Sequence, residues 1–347
     1  MTVSRSLAGE AVSPDFDAAL REASAQPLWD RYQRITTREP ASRIDAAHWP
    51  WTQMSLLVER AAREVSLADA ERRVLLLTPD GAAAATTTTL LAGLQTLLPG
   101  ELARPHRHAL QAIRFVVSGR GAVTTVNGEV CPMEPGDLVL TPAWTWHEHA
   151  HPGVGRVVWL DGLDLPLVAH LDAMFFEPAH PPRPAIEPPP ARPSVLRPDM
   201  AQLRPDVSDA ASPTRCRFRY AWPRALAALR AAVPRDDGSR WLRYVDTQGV
   251  GAVTPTIDCY LHQPPRQAPV ARRRSTSSAV CVVVEGEGVS RVGGREVAWQ
   301  RHDVFTLPHW TWVTHQALSD DAVLFLMTDR ELLATMGYLR EDQETVS

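Results

Sequence analysis

The chain has 347 residues, a net charge of −4, 44% apolar and 22% charged residues, which suits a soluble globular protein long enough for two cores and excludes the basic footprint of a nucleic-acid binder. Cys131, Cys216, Cys259 and Cys281 are dispersed with no CxxC pair, which argues against a disulfide framework or a cysteine-ligated metal. Residues 1–15 are polar and no stretch is long and apolar enough to span a bilayer, so a cytoplasmic protein with no membrane partner is expected.

Residues 1–85 read as an N-terminal helical arm ending in a first strand. Residues 16–33 and 55–71 carry apolar side chains at helical spacing, and His48-Trp49-Pro50-Trp51 interrupts them. The run 74–77 is a short apolar strand, and the β-branched Thr86-Thr87-Thr88-Thr89 is expected to open the sheet. Strand-sized pieces follow at 91–98, 113–117, 122–126, 138–140 and 156–160. Pro99-Gly100, Ser118-Gly119-Arg120-Gly121, Asn127-Gly128 and Glu134-Pro135-Gly136-Asp137 punctuate them as turns. Short strands with regular turns make residues 86–177 a sandwich or barrel. Eleven prolines between Pro178 and Pro213 exclude regular helix and inner strand, so 178–215 is a linker or surface wrap. A second β-rich region occupies 216–330, and 331–347 reads as a helix and tail.

The second β region repeats the first. Phe115-Val116-Val117-Ser118-Gly119 matches Val282-Val283-Val284-Glu285-Gly286, Gly136-Asp137 matches His302-Asp303, and Pro142-Ala143-Trp144-Thr145-Trp146-His147 matches Pro308-His309-Trp310-Thr311-Trp312-Val313. The chain is therefore expected to be mainly β, with two barrels from an internal duplication.

Three imidazoles stand out in the first repeat. His106 and His108 are two residues apart, so on a strand they share a face, and His147 arrives several strands later. Three neutral nitrogen ligands on one side of a metal leave the other side open, as a catalytic site requires. In the second repeat Arg273, Ser275 and Val313 occupy those positions, and His315 matches His149. One metal per chain follows.

The spacing resembles the cupin superfamily, whose first motif is HxH and whose second is a Pro-Gly turn with a later His, here Pro135-Gly136 and His147. Ala112 and Ile113 stand where such proteins often carry Glu, so the site has no protein carboxylate. Region 95–164 further resembles the gentisate/salicylate 1,2-dioxygenases. The residues that carry this are Gly93-Leu94-Gln95, Leu98-Pro99-Gly100-Glu101, His106-Arg107-His108, Arg114-Phe115, Thr145-Trp146-His147-Glu148-His149 and Trp159-Leu160-Asp161. That resemblance implies two cupin jelly-roll barrels behind an N-terminal helical region, Fe(II) at one site per chain, and a homotetramer. It also implies O2-dependent cleavage of a 2-hydroxybenzoate between its carboxyl- and hydroxyl-bearing carbons. A salicylate brings two anionic oxygens to chelate a centre that three imidazoles leave dipositive, with room for O2.

By the same resemblance Arg114 pairs with the substrate carboxylate and Gln95 hydrogen-bonds substrate or O2. His149 donates to the phenolate or shuttles a proton, although His315 in the metal-free repeat also supports a structural role. Asp161 steadies His149 or Arg114. Arg72 or Arg73 adds a further positive charge, Arg72 being taken as substrate-binding, though alternation does not choose between them. Trp144, Trp146 and Trp159 read as packing, since Trp310 and Trp312 persist without a metal. His151, His170, His180 and His262 carry no spacing signal and are expected at the surface. Leu91 replaces a frequent aromatic, Ala109 a frequent Thr, and Thr78-Pro79-Asp80 a loop that often reads Asn-Pro. The expected substrates therefore extend from gentisate to 5-nitro, 5-halo and 5-aminosalicylates. The alternative is a non-oxidative metal-dependent cupin, an isomerase or hydrolase, or a binding bicupin; Arg114 and Gln95 beside the histidines favour the chelating aromatic acid.

Overall fold

The computed structural model describes residues 13–29, 31–66, 73–79, 84–179, 200–206, 216–249, 251–266 and 271–345. The chain forms two units, Met1–Ala41 and Ser42–Ser347. In the first, Ser13 caps helix Pro14–Glu22 by accepting from the Phe16 amide, and Pro14 opens it with a preset φ. Ser24 then turns left-handed at φ 52°, so the continuous helix expected over 16–33 is broken, and only a short turn of helix follows at Tyr32–Ile35.

The second unit holds four sheets that make two jelly rolls. In the first barrel a six-stranded sheet runs Arg219–Tyr220, Leu138–Thr141, Ala112–Ser118, Val157–Leu163, Leu91–Leu97, Val74–Leu76. Its companion runs Phe176–Pro178, Leu102–His108, His147–Ala150, Ala122–Val126, Glu129–Met133. The second barrel repeats this. Its larger sheet orders His48–Trp49, Val304–Leu307, Ala279–Glu285, Val323–Thr328, Asp258–Gln263, Arg240–Tyr244 and Ala201–Leu203. The smaller orders Arg295–Gln300, Glu287–Val292, Val313–Ala317, Ala271–Ser275 and Glu341–Thr345. One apolar core runs through both barrels, with Phe115 stacked on Phe325 at 4.1 Å. Gly162 lets the sheets approach, because a Cβ there would strike Met327 Sδ and Ile113.

The duplication reaches beyond the barrels. Each is preceded by a strand and a Trp-initiated helix: His48–Trp49 with Trp51–Glu64, and Arg219–Tyr220 with Trp222–Ala231. Each arm joins the other barrel. His48 pairs with Phe305 of the second, and Arg219 with Val139 of the first. Asp303 accepts the Trp51 amide at 2.7 Å and Asp137 the Trp222 amide at 2.8 Å, so one buried carboxylate in each barrel caps the helix donated by the other repeat.

Several expectations change. Thr86–Thr89 is a bend, not a strand; its hydroxyls bond back to Leu77 O and the Leu90 and Ala92 amides, and Thr89 reaches Asp329 at 2.6 Å. Local side-chain-to-backbone bonding has outcompeted β propensity there. Despite their separation in sequence, Cys131 and Cys216 form a disulfide, because the second arm brings Cys216 beside strand Glu129–Met133. Cys259 and Cys281 are free and buried. Within the proline-rich stretch, Ala201–Leu203 is an edge strand, parallel to Arg240–Tyr244; 180–199 and 207–215 lie outside the described residues. His151 and His262 are buried rather than at the surface, while His170 is exposed; His180 is outside the described residues. The C-terminal helix is Arg330–Thr335, followed by strand Glu341–Thr345. Among the described residues no helix is long and apolar enough to cross a membrane.

Candidate metal centre

Strand Leu102–His108 runs antiparallel to His147–Ala150, with His106 directly opposite His147. The turn between Pro142 and His147 fixes this meeting. Trp144 adopts φ 63° and its amide donates to the His108 carbonyl at 2.8 Å, tying the returning chain to the end of the HxH strand. Ring centroids of His106 and His108 lie 4.4 and 4.8 Å from that of His147, and the three ligand nitrogens fall within 4.8 Å of one another.

Each of these rings is held by its Nδ1. His106 bonds Arg104 O at 2.8 Å, His108 bonds Leu110 O at 3.1 Å and His147 bonds Thr145 O at 2.9 Å. A carbonyl only accepts, so each Nδ1 carries the proton and each Nε2 presents a lone pair. His147 Nε2 is buried without a hydrogen-bond partner. Burial, then the adjacent His106 and Arg114, pushes the His108 pKa down to about 4, and burial, then Arg114 and the neighbouring imidazoles, holds His147 well below the usual range. Neutral imidazoles with converging lone pairs are what a divalent metal requires. The residues present fit such an ion: three nitrogens, no carboxylate in the cluster, and His106 only half-buried.

Behind the triad lies a polar wall. Arg114, on the neighbouring strand Ala112–Ser118, is buried, sits 3.3 Å from Asp161 through Nε and donates to Thr141 Oγ1 at 2.6 Å. Arg114 lies opposite Asp161, which shares a face of its strand with Trp159, and the Trp159 ring is 5.5 Å from that of His149, so the guanidinium faces the same interior; its charge contributes to lowering His108, His147 and His149. Burial pushes Asp161 up to about 6, opposed by Arg114 and by the Trp159 indole, which donates to it at 2.9 Å. Of the two partners expected for Asp161, the structure shows Arg114. Gln95 is buried and pairs across the sheet with Trp159, whose ring lies 5.5 Å from His149, so Gln95 faces the same interior. Arg73 makes a buried ion pair with Glu101 at 2.8 Å and is committed to the fold; Arg72 lies outside the described residues.

His149 is buried, and its Nδ1 lies 2.8 Å from Thr124 Oγ1. That hydroxyl donates to Met133 Sδ, so it accepts from His149 Nδ1–H and leaves Nε2, which has no hydrogen-bond partner, as a lone pair. Thr124, Thr141 and the lip residue Phe176, 5.2 Å from His106, carry no sequence motif; only cross-strand register reveals them. Trp144 and Trp146 pack on Arg107, as Trp310 and Trp312 do on Arg274.

In the second barrel Arg273 lies opposite Val313, the register of His106 and His147. Among the described residues the three histidines are the one cluster able to hold a metal. The molecule is thus a bicupin with a three-histidine metal centre in one barrel and an altered counterpart in the other.

The comparisons agree. Residues 93–163 match the Cupin domain model. The chain is 34% identical over 337 residues to gentisate 1,2-dioxygenase 1 of Aquipseudomonas alcaligenes, covering 95% of this chain and 96% of that protein. It is 35% identical over 348 residues to 5-aminosalicylate 1,2-dioxygenase of Comamonas sp, covering 96% and 92%. The crystal structure of salicylate 1,2-dioxygenase from Pseudaminobacter salicylatoxidans superposes with a TM-score of 0.80 at 29% identity, covering 96% of this chain and 99% of that one. The chain belongs to the gentisate/salicylate 1,2-dioxygenase family of ring-cleaving oxidoreductases.

Proposed function

We propose that this protein is an Fe(II)-dependent dioxygenase, with one iron per chain, that opens a 5-substituted salicylate between its carboxyl- and hydroxyl-bearing carbons. Both atoms of O2 enter the open-chain oxo-dienoic diacid. The observation that carries this is the convergence of three neutral Nε2 atoms, with no carboxylate among them, beside the buried Arg114. Iron held by His106, His108 and His147 supplies the redox chemistry between ring and O2.

The protein's side chains bind and orient. Arg114 receives the substrate carboxylate on its guanidinium fork, while Asp161 and Thr141 keep that fork from rotating. His149 Nε2, its lone pair left available because Nδ1–H is committed to Thr124, accepts a hydrogen bond from the substrate hydroxyl and would relay its proton rather than retain it. Gln95 hydrogen-bonds substrate or O2 from the adjoining strand, and Arg72 adds a further positive charge. The half-buried His106 and exposed Phe176 mark the entry side. Relatives named for gentisate and 5-aminosalicylate support a pocket tolerant at the 5-position. The protein is further read as a cytoplasmic homotetramer, which sedimentation equilibrium tests directly.

The deciding experiment is anaerobic loading with Fe(II), followed by O2-electrode measurement with salicylate, gentisate, 5-aminosalicylate and 5-nitrosalicylate in turn. Stoichiometric O2 uptake with loss of ring absorbance is expected for at least one. Absence of uptake with all four would reject the reading and favour a non-oxidative metal-dependent cupin.

A further inference from the structure

The second barrel has lost its metal ligands but kept an interior. It encloses a cavity of about 430 Å³, within the range of small-molecule sites. Strand register gives the wall residues counterparts in the first barrel. His262 lies opposite Leu324 as Gln95 lies opposite Trp159, and Leu326 and Leu307 occupy the positions of Asp161 and Thr141. Arg273 stands where His106 stands. A fixed guanidinium has thus replaced a metal ligand, while the groups that oriented Arg114 have become apolar.

The geometry points to a binding site for a small aromatic monocarboxylate in this cavity, with the carboxylate on Arg273 and the ring between Trp241 and the Leu307–Leu326 wall. Among the described residues Arg273 meets one carboxylate, Asp237, through a single nitrogen at 3.4 Å, which leaves most of its fork for a second anion. His262 is 4% exposed and its Nδ1 has no hydrogen-bond partner. Trp241 stacks on it at 3.9 Å, and the indole Nε1 is also without a partner. Ser290 accepts the Trp299 indole, and its hydroxyl lies 2.7 Å from His315 Nδ1. Burial holds His262 well below its usual pKa and His315 at about 4. Both are therefore neutral hydrogen-bonding groups at physiological pH. Arg235, Arg274 and Arg330 also line the cavity, but Arg274 pairs with Asp342, Arg330 pairs with Glu341, and Arg235 lies over the Trp241 ring. Arg273 with its lightly held fork, the neutral imidazoles and the apolar Leu307–Leu326 wall match a ring bearing a single carboxylate, and a bare inorganic anion would leave that wall uncovered. This site needs no metal and stands independently of the reaction proposed above.

The test is equilibrium dialysis of radiolabelled benzoate against the full-length metal-loaded protein, with circular dichroism as the check on folding. Benzoate lacks the phenol and is not turned over. The expected result is a site that survives Arg114→Gln and weakens at least tenfold in Arg273→Gln and in the cavity-filling Leu326→Trp, with dioxygenase turnover unchanged in the latter two. Bromine density inside the second barrel of a crystal soaked in 4-bromobenzoate is the matching observation. The inference fails if all benzoate binding is lost in Arg114→Gln, if Arg273→Gln and Leu326→Trp bind as wild type does, or if inorganic phosphate displaces benzoate as well as unlabelled benzoate does.

Discussion

Each ligand imidazole is aimed by a carbonyl two residues away in sequence, so the metal centre is largely a local property of HxH and the later His. Its supports are not local. Thr141 and Asp161, 27 and 47 residues beyond Arg114 in sequence, converge on that guanidinium only through sheet register. Two outcomes follow at this scale. His106→Ala removes one ligand outright, so metal affinity should fall by more than the roughly 10–100-fold that losing an outer hydrogen bond costs; elemental analysis after dialysis reads this. Arg114→Gln forfeits a charge-assisted bond to the carboxylate, a loss of about 3 kcal/mol or roughly 100-fold in kcat/KM. Steady-state kinetics with salicylate and with salicylamide would show the loss confined to the carboxylate substrate, and an equal loss with the amide would remove Arg114 from that role.

At the scale of elements, the crossed arms explain two buried carboxylates that the sequence marks only as turn residues. Asp137 pairs with Arg219 at 2.8 Å and caps helix Trp222–Ala231; Asp303 caps helix Trp51–Glu64 and bonds His48. Reciprocal links recur where Asp164 meets Thr256 and Asp329 meets Thr89, so each barrel is closed by pieces of the other repeat. Asp137→Ala deprives the buried Arg219 of its nearer carboxylate and should cost about 3 kcal/mol. Asp303→Ala, a cap loss without a buried arginine, should cost nearer 1 kcal/mol. Urea unfolding of the two variants measures the difference, and equal losses would mean that the Arg219 pair contributes nothing beyond capping. Strand periodicity was readable for most pieces: 122–126 matches its observed strand, and the others differ by a residue or a few at the ends. The exchange of arms was not readable, because pairing partners 80 or more residues apart leave no period in either segment.

For the whole molecule, one metal-ligand set in two barrels predicts one metal per chain, and His315→Gln should leave that ratio unchanged. Stability should also depend on pH. His262 is buried and His302 and His315 are half-buried; desolvation chiefly holds His262 well below 6.5, its value when unfolded, and His302 and His315 at about 4. The unfolded chain therefore binds more protons below pH 6.5, and the folded state loses stability as pH falls. Asp161 and Asp164, raised to about 6 by burial, act in the opposite sense from about pH 6 downward. Calorimetry should find the steepest fall in melting temperature between pH 7 and 6, and a flat profile there would contradict the burial of these histidines.

The sequence by itself determined the barrel class, the duplication and the three ligands, because alternation, turn residues and a two-residue ligand spacing are all written within a few strands. The replacement of His106 by Arg273 was equally visible as a substitution in an aligned repeat. Only the tertiary structure decided that Arg73 serves Glu101, that Asp161 serves Arg114, that Cys131 meets Cys216, and that His262 is buried beside the cavity of the second barrel. Those outcomes depend on which sheets face each other and which arm crosses to which barrel. Such contacts are set by the packing of a shared core, not by the order of residues along any one strand.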